Sequence, residues 1–311
     1  MLRLCAFLHP DAIPEEIIIE DAPELGPVLY PVAADPFQLN DTIGALLKFS
    51  LVQRDSGLNT ITIHQLVQTV IKIGMDGTTQ KLWAERAVRA VNRALPDFEQ
   101  VEHQLYQRFL PHIQACTVLI DQWHMTFTEA AELLYQAGHS LQEHSQYTEA
   151  EPLYQRALEI YEKELGPDHP YVATSIENLA NLCRDLGKYD QAKDLYQRAL
   201  TLSEKTANYF SKAAILNNLA KLYQLQGKYD QAEQFYERAL TQLEQTLGPE
   251  HPSVATVLES LIVLYYKQDK SQQAEQFYQR ILGIYRQASR IEYADKETNL
   301  ENFVELLQKV N

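Results

Sequence analysis

The chain has 311 residues, 45% of them hydrophobic, and a formal net charge of −15. So much apolar material argues against wholesale disorder, and the charge argues against nucleic acid or an anionic membrane as the main partner. Cys5, Cys116 and Cys183 stand far apart with no CxxC pair, the usage of a reducing cytosol.

The opening MLRLCAFLHP is a short apolar helix stopped by Pro10. Its apolar run is too short for a signal peptide, and no small-residue cleavage site follows. Nowhere does the chain approach the roughly 18 consecutive apolar residues of a membrane helix. These features predict a soluble, cytoplasmic protein.

Pro14-Glu15-Glu16 reads as the start of a helix, with proline and acidic residues in the first turn. The proline-rich stretch over 22–36 reads as an irregular connection. Asp35-Pro36 opens the next helix, with Leu39, Ile43, Leu46 and Leu47 on one apolar face. Two β-prone runs, 50–54 and 60–63, flank the Gly-containing turn 55–59 and predict a hairpin. Residues 64–73 resume a helical pattern. Helices followed by a hairpin wing predict a small winged-helix domain over 1–80. Its would-be recognition helix offers one cation, Lys48, and its wing offers Arg54, too few for phosphate contacts.

Residues 81–125 read as linker helices. Leu105, Phe109, Ile113, Cys116 and Ile120 are spaced as a buried face. His112 and Cys116 stand at i and i+4, but two ligands do not make a metal site.

From 126 to 290 the chain repeats itself. LANLCRDLGKYDQAKDLYQRAL and LAKLYQLQGKYDQAEQFYERAL are the cleanest copies, with an earlier one ending SQYTEAEPLYQRAL and a later, eroded one ending KSQQAEQFYQRIL. The marker Tyr147 recurs as Tyr189, Tyr229 and Ser271, at intervals of 42, 40 and 42 residues. Such a period marks stacked supersecondary units. Each copy reads as two antiparallel helices, with Gly187 or Gly227 ending the first. LGPDHP and LGPEHP close the first and third units, where His169 and His251 serve as punctuation. Residues 291–311 read as a C-terminal capping helix.

Tyr, Ala and Gly at these offsets closely resemble the tetratricopeptide repeat, in the 42-residue form similar to kinesin light chains. The fold class this implies is mainly α: a right-handed tetratricopeptide-repeat solenoid preceded by the winged-helix domain. The string LLKFSLVQRDSGLNTITIHQLVQTVI (residues 46–71) also resembles the winged-helix segment of bacterial NB-ARC-type signalling ATPases with C-terminal repeats. In that family a His at the hairpin's end, matched here by His64, senses the β-phosphate of ADP, a role requiring a nucleotide-binding domain supplied elsewhere. The residues alone read His64 as a cap of the hairpin-to-helix turn. No GxxxxGK[ST] is present, since Gly187-Lys188 and Gly227-Lys228 precede Tyr. The resemblance implies the C-terminal part of a larger regulator, or a descendant lacking the motor.

The first helix of each repeat is expected to present its outer face to a concave groove. Tyr135, His139 and Gln142 hold these places in the first copy, and Glu177, Asn178, Asn181 and Arg184 in the second. Asn217, Asn218, Lys221 and Gln224 follow in the third, and Glu259, Val263 and Tyr266 in the fourth. An Asn amide offers both a donor and an acceptor, so Asn181 and Asn218 either clasp an extended peptide or bridge adjacent helices. The cations that grip a terminal carboxylate in chaperone-tail-binding members are missing from the matching positions.

Two functions remain open. One is a non-enzymatic module that binds a peptide or protein segment in the groove, with no cofactor. The other is the regulatory half of an NB-ARC-type switch, partnered by an ATPase domain in cis or in trans. No Ser/His/Asp or Cys/His set has motif-like context, so catalysis is not expected.

Overall fold

A computed structural model describes residues 1–19, 25–95, 107–206 and 209–287. The capping helix expected over 291–311, the break at Pro96-Asp97 and the place of Leu105 lie outside them. The chain divides into two compact units, Met1–His169 and Pro170–Asn311.

The first unit opens with three short elements: α1 (Leu2–Cys5), β1 (Ile13–Pro14) and α2 (Glu16–Ile19). They are followed by α3 (Tyr30–Ala33) and α4 (Pro36–Lys48), whose N-cap Asp35 accepts from the Phe37 N–H at 2.9 Å. The expected hairpin is β2 (Val52–Asp55) and β3 (Thr60–Ile63), paired antiparallel with Val52 opposite Ile63. Pro14, expected in the first turn of a helix, instead joins Ile13 in a third strand, and the helix begins at Glu16. Ile13 lies opposite Ile61, and the sheet order is β1-β3-β2. A two-residue strand has no periodicity of its own, and its partner decides it. The proline-rich connection also holds one helical turn, α3, which admits Pro31 at its start because the first N–H groups of a helix need no intrahelical partner.

Arg54, expected as the wing's cation, grips Glu15 with both ends of its guanidinium, at 2.6 and 2.7 Å, and Asn40 with the third nitrogen. Glu15 is buried, so this forked pair closes the sheet against the helices rather than reaching outward. Next come α5 (Gln65–Ile73) and α6 (Gly77–Ala94), the latter capped by Asp76. The one buried side chain of α5 is Gln68, which donates to the carbonyls of Cys5, at the end of α1, and of Leu8 just beyond it. Leu66, Val70 and Ile73 are exposed. On α4, Leu39 and Ile43 are buried as expected, whereas Leu47 faces out.

The helix α7 (Leu110–Gln122) buries Ile113, Cys116 and Ile120, with Phe109 just before it. His112 on it is fully buried, its Nε2 3.4 Å from the Ala12 carbonyl oxygen. The Cys116 thiol faces the Ala87 carbonyl. Burial holds the His112 imidazole down at about 4, with the Ala12 contact pulling upward and His9 downward. The unit ends with the first repeated helix pair, α8 (Thr128–Glu143) and α9 (Tyr147–Leu165).

The second unit holds three further pairs. These are α10 (Pro170–Asp185) with α11 (Tyr189–Lys205), α12 (Tyr209–Leu225) with α13 (Tyr229–Leu247), and α14 (Pro252–Lys267) with α15 (Ser271–Gln287). In every pair the first helix (A) packs on the second (B), where Ala192, Ala199, Ala232 and Ala239 are wholly buried and let the helices approach. Tyr154, Tyr196 and Tyr236, on successive B helices, are the largest fully buried side chains.

The A-to-B turns show why glycine recurs. Gly187 and Gly227 sit at φ +74° and +72°, in the left-handed region. The same place in the first and fourth copies is held by Ser145 and Asp269, both at φ +60°. Tertiary packing imposes the turn even where the sequence lacks its preferred residue.

Candidate functional site

In each of the first three copies the buried B-helix tyrosine turns its hydroxyl back to helix A. Tyr154 donates to Gln142 Oε1 at 3.0 Å and Tyr236 to Gln224 Oε1 at 2.9 Å, a spacing of 12 residues in both. The second copy has Arg184 at that place, which has no acceptor to offer. There Tyr196 donates instead to Asn181 Oδ1, one turn earlier, at 2.5 Å. Arg184 joins through Nη1, 3.3 Å from Asn181 Oδ1 and 3.4 Å from the Tyr196 oxygen, and its other nitrogens hold Asp185. Burial pushes both the Tyr196 and Tyr236 phenols well above their ordinary value. They stay protonated and act as fixed donors.

Along the A helices of the second unit runs a half-buried polar row. The Asn218 side-chain N–H on α12 donates to Glu177 on α10 at 3.1 Å, and Glu259 on α14 accepts from the Tyr285 hydroxyl at 2.6 Å. Burial raises the Glu177 carboxyl while the Asn218 bond opposes it. Lys221, between them in sequence, is lowered by burial first, then by the charge of Arg184, with Glu259 acting in the other direction. Two cations that repel and two carboxylates thus share the row.

The predicted residues fall into distinct places. Glu177, Asn178, Asn181, Arg184, Asn218, Lys221 and Gln224 are all partly exposed on the A helices of the second unit. Asn181 and Gln224 have their acceptors engaged by tyrosines, and Asn218 bridges adjacent helices. Tyr266 and Asn217 do not lie on the exposed face expected of them. Tyr266 is 4% exposed and Asn217 is 7% exposed. Val263 and Glu259 are partly exposed. In the first unit, Tyr135 packs its ring edge-on against Tyr154 at 5.4 Å. His139 is half-buried, its pKa lowered by burial and raised by Glu143. His64 is exposed and caps α5, its Nδ1 accepting from the Leu66 N–H at 3.1 Å.

Sequence reasoning missed a cavity of about 170 Å³ in the second unit, floored by Ala213, Leu243 and Val257. Asn217 lines it, and its side-chain oxygen accepts no hydrogen bond. The 12-residue offset between polar A-helix residues and tyrosines was readable from the repeat. The cavity was not, since it draws on three helices. Among the described residues no group of three or more His, Cys, Asp or Glu side chains could hold a metal ion, and no helix is long and apolar enough to cross a membrane.

The family described as Tetratricopeptide repeat matches residues 129–205 and 211–287. A Domain of unknown function (DUF7779) matches residues 1–94. A nucleotide-binding leucine-rich repeat (NLR)-like protein of Hyaloscypha variabilis is 28% identical over 139 residues, 44% of this chain and only 14% of that protein's length. Among solved structures, a single-substitution form of the nearly identical TPR-like repeats of a Podosopora anserina kinesin light chain covers 70% of this chain and 99% of its own, at 18% identity and a TM-score of 0.53. Aspartyl phosphate phosphatase F from Bacillus subtilis covers 88% and 67%, at 15% identity and a TM-score of 0.57. A Rap protein in complex with competence and sporulation factor covers 78% and 68%, at 16% identity and a TM-score of 0.52. At these identities the structures share the fold.

Proposed function

We propose that this chain, a tetratricopeptide-repeat protein, is a non-enzymatic interaction module that holds a peptide or protein segment against the A helices of its repeats. The observation that carries this reading is the polar row on the second unit. Glu177, Asn181, Arg184, Asn218, Lys221 and Gln224 are neither buried in the core nor fully solvated. Several are locked by internal bonds, so little side-chain entropy remains to be lost when a partner arrives. The mixture of cations, carboxylates and amides suits the alternating donors and acceptors of an extended chain. It offers no aligned nucleophile and base. Fold likeness to the Rap protein, itself solved with competence and sporulation factor, agrees with this use of the repeats.

The test is selection of a displayed random-peptide library on the purified chain. Enrichment of a sequence pattern, and loss of binding when Lys221 and Arg184 are both replaced by alanine, is the expected result. No enrichment above an empty surface would sink the reading.

A second reading is favoured by the NLR-like relative together with the hairpin that delivers His64. Here the chain is the regulatory portion of a nucleotide-dependent switch, residues 1–80 being its winged-helix part. With Nδ1 accepting from the Leu66 N–H, Nε2 is the ring nitrogen left to face a phosphate oxygen. Calorimetry of ADP with the chain alone is expected to show no binding, and with a nucleotide-binding domain added, binding that His64→Ala weakens. An unchanged affinity in that variant would remove His64 from the reading.

A further inference from the structure

The cavity beside Asn217 has the character of a subsite rather than of a packing defect. It opens between α12, α13 and α14, with Ala213, Leu243 and Val257 as an apolar floor. Ala214, Ser253 and Thr256 form its rim, all at least partly exposed. Small side chains stand on both facing A helices, and that is why the space exists.

Its size selects the occupant. About 170 Å³ is well below the range of about 300–1,000 Å³ typical of whole small-molecule ligands. It matches a single side chain, since an apolar cavity of about 150 Å³ holds a benzene-sized guest. The lining includes no charged residue, so an ammonium or carboxylate entering it would lose its hydration without a partner.

Asn217 adds the polar half. It is 7% exposed, it lines the cavity, and its Oδ1 accepts nothing. Buried side-chain acceptors are almost always paired, because an unpaired one forfeits its bonds to water. The neighbouring amides are already engaged in internal bonds. Asn181 and Gln224 already accept from tyrosines, and Asn218 donates to Glu177.

We infer that this cavity takes one aliphatic side chain, of the size of Val, Ile or Leu, from an extended peptide, and that Asn217 accepts a hydrogen bond from that peptide's backbone N–H. The inference rests on the peptide-binding reading above and gives it a register point. An aliphatic anchor in the cavity would sit beside the polar row, and the flanking residues would then meet Asn218 and Lys221.

The probe is a positional-scanning library of N-acetylated, C-amidated heptapeptides, measured by fluorescence polarisation against the full chain. The wild type is expected to select Val, Ile or Leu at one position. Ala214→Leu fills the cavity from one helix and Thr256→Leu closes it from the facing one. Each is expected to weaken the selected peptides by about tenfold to a hundredfold, the worth of burying such a side chain. Should one variant unfold, as thermal melting will show, the other carries the test. Asn217→Leu, nearly isosteric, is expected to cost about three- to tenfold, the size of one neutral hydrogen bond. N-methylation of a single peptide amide should cost as much on the wild type and nothing further on Asn217→Leu. Peptides that bind with no aliphatic preference, or that bind wild type and both filling variants equally, overturn the subsite and leave the groove standing. A library from which nothing binds the wild type overturns both.

Discussion

Asn218 on α12 donates its side-chain amide across 3.1 Å to Glu177 on α10, joining the A helices of successive repeats. In a stack where each unit touches only its neighbours, such a bond belongs to the interface between repeats. It uses the amide that the repeat pattern offered to a ligand.

Glu177 is predicted to work against stability at neutral pH. Burial raises its pKa in the folded chain, with the Asn218 bond only opposing that rise. A carboxyl raised in the folded state stabilises below its unfolded pKa, and that contribution is lost as pH increases through the raised value. Glu177→Gln should therefore melt higher than wild type at pH 7, with the gap closing as pH falls into the acid range. Differential scanning calorimetry across pH checks this, and a variant melting lower at pH 7 would show that the hydrogen bond from Asn218 to the carboxylate outweighs desolvation.

Asn181 is predicted to be structural before it is functional. Asn181→Ala strands the fully buried Tyr196 side chain without its acceptor. The expected cost is about 1–3 kcal/mol in urea unfolding, the penalty of a buried donor left unpaired. Adding Tyr196→Phe should recover part of it, because removing both partners is cheaper than removing one. Simple additivity of the two losses would contradict the bond.

The turns predict opposite outcomes for two kinds of substitution. Gly248 sits at φ +91° and ψ 156°, a conformation nearly confined to glycine. Gly248→Ala should cost about 1–3 kcal/mol. Ser145 and Asp269 carry a side chain at φ +60°, where their equivalents Gly187 and Gly227 carry none. Ser145→Gly and Asp269→Gly should each stabilise by up to about 1 kcal/mol, since left-handed backbone costs an L-residue roughly 1–2 kcal/mol and the added glycine entropy takes some of that back. Melting temperatures of the three variants decide it.

His112 makes the first unit acid-sensitive. Its folded pKa is about 4, below the ordinary 6.5. The unfolded chain therefore takes up the proton first, and stability present above 6.5 is lost as the pH falls toward 4. The full effect is on the order of 3 kcal/mol. Both tryptophans, Trp83 and Trp123, lie in that unit, so their fluorescence in urea follows it selectively. His112→Leu should flatten the dependence over that interval, and an unchanged slope would place the titration elsewhere.

The helix pairs were legible because their signals are local. Tyr147, Tyr189 and Tyr229 begin B helices, Gly187 and Gly227 precede the last two, and each residue's preference needs no distant partner. The hairpin was legible for the same reason, since its turn residues and alternation lie in one short stretch. The strand at Ile13-Pro14 was not, because only the β3 edge makes it a strand. Nor was the forked pair of Arg54 with Glu15, 39 residues apart in sequence.

The chain alone determined where the helix pairs form and which apolar side each helix turns to its partner, because a period of about 40 residues and the 3.6-residue turn act on every copy alike. Only the tertiary structure decided which polar side chains remain open to a partner. Asn181 and Asn217 stand on the same kind of helix, in adjacent copies. A tyrosine hydroxyl reaches the first, and an unfilled space between three helices adjoins the second. That difference is set by hydrogen-bond reach within one helix pair and by packing among three helices, and the second cannot be read from any one of them.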